Sequence, residues 1–162
     1  MSATNVRPVP DDFATQAHID AETYERMYRH SIEHPDEFWA KEAELFLDWE
    51  TRWNEVCDYD FNTGEASWFS GGKLNVTVNC IDRHLAERGD KVALIWEGDN
   101  PVESTDITYN DLSEQVNKLA NVLKSRGVKK GERVCIYMPM IPEAAYAMLA
   151  CARIGAVHSV VF

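Results

Sequence analysis

Few residues of this chain are of a type, at a spacing, that suggests chemistry. His30-Ser31-Ile32-Glu33-His34 fits H-x-x-E-H, which places two histidines on one helix face as metal ligands with a carboxylate between them. Pro35 follows at once, so the second histidine falls at a fraying helix end, and no third ligand can be assigned. The alternative is two histidines near a helix C-terminus, where positive charge is favoured. Gly71-Gly72-Lys73 has the look of a phosphate loop but departs from it in detail. Ser67 stands where the first glycine belongs, Leu74 replaces the hydroxyl that would hold magnesium, and no strong strand precedes it. It reads as a turn. No G-x-S-x-G elbow occurs, and no G-x-G-x-x-G follows a strand. The loop after Met138 is Pro139-Met140-Ile141-Pro142, which lacks the bare backbone a pyrophosphate needs. Cys57, Cys80, Cys135 and Cys151 are widely spaced with no CxxC pair, so a zinc cage is not expected. Cys135 and Cys151 read as small core residues. Trp39, Trp49, Trp53, Trp68 and Trp96 read as packing anchors rather than a stacking platform. Taken alone, the residues assign no catalytic group and no metal ligand.

Charge narrows the partners. The 162 residues carry a net charge of -11 with a pI near 4.8. Nucleic acid and anionic membrane both require a basic face, so neither is expected as a main partner, although a local basic site can still exist. A composition of 45% hydrophobic and 27% charged residues fits a globular class. The first residues contain no apolar core of a signal peptide and are acidic early, and no run approaches membrane-spanning length. A cytoplasmic location is the expectation. Oligomeric state is not legible.

The elements that would position any site centre on Gly131 to Phe162. Val134-Cys135-Ile136-Tyr137-Met138 is an apolar run suited to a strand buried on both faces. Pro142 sits where a first helical residue belongs. Ala144, Ala145, Met148, Leu149 and Ala152 recur at helical spacing, and Gly155 lies where a left-handed cap would end the helix. His158 to Phe162 begins a second strand. Together they form a βαβ unit, the seed of a parallel sheet. A sheet ending there would leave an open apolar edge, so the expectation is the front portion of a larger α/β enzyme.

Upstream, residues 1–19 read as a loose tail with Pro8 and Pro10. Asp20 caps a helix with a stripe of Tyr24, Met27, Tyr28 and Ile32, ended by Pro35. A second helix presents Trp39, Ala43 and Phe46, and helical spacing continues through Trp49, Trp53 and Val56. A short strand lies near Trp68 and Phe69. Asn75 caps a helix to Arg88, with Val78, Ile81 and Leu85 inward and Gly89 as its stop. Val92 to Trp96 is a strand with Ile107-Thr108-Tyr109 as an antiparallel partner. Thr108 and Asp111 form a capping box for a helix with Leu112, Val116, Leu119, Ala120 and Leu123 on one face, and Gly127 closes it.

Several stretches are together specific. Asn75 to Leu85, Ala93-Leu94-Ile95-Trp96-Glu97-Gly98, Ile107 to Leu112, Val134 to Pro139 and Ile154 to Phe162 closely resemble the acetyl-CoA synthetases of the adenylate-forming superfamily. Tyr24 to Trp49, with Pro35, Phe38, Trp39 and Leu47-Asp48-Trp49, resembles that family's helical N-terminal extension. The resemblance implies an α/β fold: residues 20–89 as the helical extension and residues 90–162 as the truncated beginning of the AMP-binding domain. It implies a two-step acetate–CoA ligase, with Mg-ATP and CoA as substrates of the full-length enzyme. Acetate is activated as an acetyl-adenylate, and CoA then takes the acetyl group. Acetate, ATP and CoA would act through the C-terminal part, where the family keeps its phosphate loop, hinge aspartate and catalytic lysine. No catalytic residue is therefore carried over, no cofactor is expected to bind this stretch firmly, and the isolated chain is expected to be inactive. Phe162 alone is carried over, as a wall of the CoA pocket; the plainer alternative is a buried strand phenylalanine. The rival readings are a non-catalytic interaction module and the same part of a propionyl-CoA type of synthetase.

Overall fold

The chain folds locally as caps, turns and apolar spacing direct, and a computed structural model describes residues 8–100 and 102–161. In order they form α1 (Asp11–Gln16), α2 (Ala21–Glu33), α3 (Pro35–Phe46), β1 (Glu55–Asp60), β2 (Glu65–Ser70), α4 (Val76–Cys80), a single 3-10 turn (Asp82–His84), α5 (Leu85–Arg88), β3 (Val92–Glu97), β4 (Ser104–Thr108), α6 (Tyr109–Ser125), β5 (Arg133–Tyr137), α7 (Pro142–Ile154) and β6 (Val157–Val161). This is the mixed α/β class expected from the sequence. Two compact units result. One holds the described residues up to Phe46 with Glu55–Trp68; the other holds Leu47–Asn54 and the described residues from Phe69 on.

The smaller unit is two helices and a hairpin. The Asp20 carboxylate accepts the Thr23 backbone N–H at 2.8 Å and starts α2. His34 caps its end, and Pro35 opens α3 at the position that needs no N–H. The expected apolar stripe of α2 exists, but in this chain Tyr24, Tyr28 and Ile32 are exposed. α3 buries Ala43, while Trp39 and Phe46 stay exposed. The tail expected to be loose contains α1, exposed along its length. The strand expected near Trp68 is β2, paired with β1.

The helical continuation expected through Trp49, Trp53 and Val56 does not form. α3 ends at Phe46, and Val56 lies in β1. In the larger unit, Trp49 and Trp53 instead meet Phe69, with ring centroids 4.8, 5.5 and 5.1 Å apart. The backbone is extended there because Thr51 and Lys73 form a bridge, with the Lys73 N–H donating to Thr51 O at 2.9 Å. Those ladder bonds and the aromatic cluster outweigh a helical periodicity that had no cap to support it.

The larger unit is organised by α6 and α7. The capping box is present: the Thr108 hydroxyl oxygen accepts the Asp111 N–H at 3.1 Å, and Asp111 accepts the Thr108 N–H. α6 buries Leu112, Val116 and Ala120. Pro142 is the first residue of α7, and Gly155 caps it at φ 72°. α7 buries Ala147, Ala150 and Cys151 and covers β5 and β6, which pair in parallel from Arg133 opposite Val157 to Tyr137 opposite Val161. β3 and β4 form the expected antiparallel hairpin, with a register shift between Val92 and Leu94.

Three expectations are corrected here. The single helix over Asn75 to Arg88 is α4, a 3-10 turn and α5, because the chain breaks at Ile81, whose side chain is fully buried. Gly89 is the stop, as expected, and caps α5 with right-handed dihedrals. It is needed for room: a Cβ there would stand 2.7 Å from the Asn110 amide and from Leu85 O. The parallel pair is buried on one face in this chain. Ile136 packs under α7, while Cys135, Tyr137, Val157 and Val161 alternate to the open face. Cys135 is therefore exposed and Cys151 buried, so only the second is a core thiol.

Replacing Thr108 by Ala should cost about 1 kcal/mol of unfolding free energy at neutral pH. The Asp111 carboxyl lies below its ordinary range, held there first by the Thr108 hydroxyl and then by the Thr108 N–H. A lowered carboxyl stabilises the fold above the ordinary range and loses that effect as pH falls through its folded value. Urea melts of T108A and the native chain should therefore converge on acidification.

Candidate functional site

The end of an α/β sheet where ligands bind is the one its strands run toward. Here that end carries Tyr137, Val161 and the loop from Met138 to Ile141. The loop is braced from the hairpin, because Trp96 donates its indole Nε1–H to Met140 O at 2.8 Å. Ile141 N–H is turned inward to Pro139 O at 2.9 Å, Pro142 has no N–H, and Ala144 N–H returns to Ile141 O at 3.0 Å. Glu143 adds a negative charge to the same first turn. This helix start therefore offers an anion few donors, as its sequence implies. Phe162, the one site residue carried over by resemblance, lies outside the described residues.

The platform behind that end is fastened by polar side chains. Arg153, in the last turn of α7, donates Nη2–H to Asp82 Oδ1 at 2.7 Å and Nη1–H to Asp82 Oδ2 at 3.1 Å. Both side chains are mostly buried, so the pair is a two-pronged charge-assisted contact with little water around it. Asn75 caps α4 through Oδ1, which accepts from the Thr77 N–H at 2.9 Å, and donates Nδ2–H to Arg153 O at 3.1 Å. Asn79 is buried and copies a backbone partner: Oδ1 accepts the Asp48 N–H at 2.8 Å, and Nδ2 donates to Asp48 O at 3.0 Å. The cap at Asn75 was legible in sequence. Asn79, Asp82 and Arg153 were missed. The available signal was their polarity within a run of apolar helical spacing.

The other candidates do not assemble chemistry. His30 and His34 lie 5.4 Å apart by ring centroid, and His30 rests edge-on against Phe38. No group of three or more His, Cys, Asp or Glu gathers for a metal among the described residues. Gly71 has φ 79°, and at Gly72 a Cβ would stand 2.7 Å from the Trp49 ring, so the pair serves a turn packed on tryptophan. Burial raises the Cys151 thiol. Burial and then Asp36, Asp58 and Glu55 raise Cys57. Raised thiols are poor nucleophiles at neutral pH. Tyr146 is raised by burial, then by Glu143 and Asp111.

Comparison with known proteins places this scaffold in a family. Residues 24–80 match the family described as acetyl-coenzyme A synthetase N-terminus, and residues 81–162 match the one described as AMP-binding enzyme. The chain belongs to the AMP-binding enzymes. Acetyl-coenzyme A synthetase 2 of Pseudomonas aeruginosa is 62% identical over all 162 residues, which are 25% of its own length. The acetyl-coenzyme A synthetase of Alkalilimnicola ehrlichii is 61% identical with the same coverage. Among solved structures, acetoacetyl-CoA synthetase from Streptomyces lividans superimposes with a TM-score of 0.78 at 33% identity, over 92% of this chain and 23% of that one. The resemblance to the N-terminal portion of acetyl-CoA synthetases thus holds along the whole chain. The chain spans about a quarter of the length of the curated relatives it matches.

Removing one half of a buried polar pair leaves the other without a partner. Asn79→Ala should therefore cost about 1–3 kcal/mol in urea unfolding. Asn79→Asp should cost no less, since a carboxylate cannot donate to Asp48 O. Arg153→Ala should cost about 2 kcal/mol, and a double-mutant cycle with Asp82→Ala should return a coupling of about 1 kcal/mol or more.

Proposed function

We propose that this chain is the N-terminal part of an acetate–CoA ligase of the AMP-forming kind. The observation that supports it most is the 62% identity to an acetyl-coenzyme A synthetase over all 162 residues, against 33% to the solved acetoacetyl-CoA synthetase. A carboxylate is a poor acyl donor until one oxygen becomes a leaving group. The parent enzyme would join acetate to AMP from Mg-ATP with release of pyrophosphate, and then pass the acetyl group to the CoA thiol. Such an enzyme must align the acid with a triphosphate and offset its charge.

In this reading residues 1–19 are a tail, 20–89 a helical extension and 90–162 the beginning of the AMP-binding domain. Their work is to support and position. The described residues gather no group of three or more His, Cys, Asp or Glu, and no step is assigned to them through magnesium. Acetate, ATP and CoA would be handled by the rest of the parent protein, in the cytoplasm, with Phe162 as a wall of the CoA pocket.

The isolated chain should show no acetate-dependent ATP–pyrophosphate exchange. Joined to the remaining three-quarters of the Pseudomonas aeruginosa protein, it should restore exchange to the level of that native enzyme within about tenfold. A folded chimera without exchange, or exchange by the isolated chain, would overturn the reading. In the chimera, Phe162→Ala should raise the KM for CoA by about tenfold, the loss expected for one apolar wall. An unchanged KM would remove Phe162 from the pocket.

A further inference from the structure

Cations are unevenly placed in this acidic chain. From Lys124 to Arg133 stand Lys124, Arg126, Lys129, Lys130 and Arg133 against one carboxylate, Glu132, although the whole sequence has 16 Lys and Arg against 27 Asp and Glu. Folding gathers part of this stretch around a cavity of about 520 Å³ in the larger unit. The cavity lies where the last turns of α6 and α7 meet the loop that leads into β5, at the end where the chain enters the parallel strands. Lys124, Lys129, Lys130 and Arg153 line it with the amides of Asn117 and Asn121, and Ala120, Val128 and Ile154 supply apolar wall.

Helix dipoles do not account for so much charge. Each helix C-terminus carries about half a negative charge, so one cation per helix would suffice, and Lys124 and Arg153 supply those. The last carbonyls of α6 are moreover already met by the backbone N–H groups of Arg126, Gly127 and Val128 at 3.1, 2.9 and 3.1 Å. Lys129 and Lys130 remain. Among the described residues none of the three lysines is in an ion pair. Glu132, the carboxylate at hand, is turned to the loop, where it accepts the Lys129 backbone N–H at 2.7 Å. Arg153 is matched by Asp82, yet its buried Nε–H has no acceptor among the described residues.

We propose that this cavity binds a small molecule bearing at least two phosphate groups and an organic part, of the nucleoside diphosphate class. The three amines take the phosphates, Asn117 and Asn121 donate or accept at the rim, and the organic part lies on Ala120, Val128 and Ile154. The volume falls within the range of small-molecule sites, about 300–1,000 Å³. Several lysines without an ion pair lining one cavity favour a compact polyanion, whose charge they can meet together.

The test titrates the full 162-residue chain with ADP and, separately, with inorganic pyrophosphate, by calorimetry and amide chemical shifts. ADP should bind saturably, shift the Asn117 and Asn121 side-chain amides and weaken with added salt. The exposed-lysine variant K124Q/K129Q/K130Q should lose at least about tenfold in affinity, the scale of one charge-assisted contact. The charge-matched control K41Q/K73Q/K91Q, which changes no residue lining the cavity, should lose less than about twofold, as exposed charges outside a site are screened. Circular dichroism checks that both variants stay folded. No saturable ADP binding at millimolar concentration would overturn the proposal, as would equal losses in both variants or shifts confined to the Pro139–Ile141 loop. Pyrophosphate binding as tightly as ADP would overturn the part given to the apolar wall. None of these readouts depends on ligase activity.

Discussion

The larger unit depends on α7 burying a face made of small residues. Ala150 and Cys151 have no exposed surface and Ala147 almost none. Small side chains let a helix approach its neighbours closely, so α7 can pack on α6 and on the parallel pair at once. Two apolar clusters meet through it. Ala150 belongs with Ile81, Ile107, Leu112, Val116 and Ala120; Ala147 and Cys151 belong with Ile136 and Ala156. A bulkier residue at Ala150 would have to displace one cluster or the other, because cores at native density have no spare volume.

What surrounds α7 follows from that seat. Its two ends are fixed by chain chemistry, Pro142 at one and Gly155 at the other. Gly155 also makes room for a neighbour, since a Cβ would stand 2.9 Å from Lys130 Cγ. Asp82 and Asn75 then grip the last turn of α7 from α4 and the turn that follows, and Asn79 ties that segment to Asp48. Trp96 braces the loop before α7. The Asp82 and Asn75 contacts hold α7 at the end where the chain enters β6, and the Trp96 contact holds the opposite end, where open α/β sheets put their ligands.

Local signals were legible in the sequence and distant ones were not. The capping box at Thr108 and Asp111, the Pro142 start, the left-handed Gly155 and the β3–β4 hairpin all depend on residues a few positions apart, and all are present. Trp49, Trp53 and Val56 misled because their helical spacing had no cap or stop to test it. A pairing with Lys73, far along the chain, decided the backbone there. Ile81 broke a helix because it had to enter a core built from later residues. The bidentate contact of Arg153 with Asp82 spans 71 positions, and no spacing rule reaches that far. The site was less legible than the fold: its one named residue came from family resemblance, and no spacing pointed to Asn79 or to the cavity lined by Lys124, Lys129 and Lys130.

Native-state hydrogen exchange over a series of low urea concentrations tests the central role of α7 most directly. The amides of Tyr146 to Ala152 should exchange only through opening of the whole larger unit, with a urea dependence equal to that of its global unfolding. Exchange of those amides through a smaller, urea-insensitive opening, while β3 and β4 remain protected, would show that α7 is an attachment to this fold and not its support.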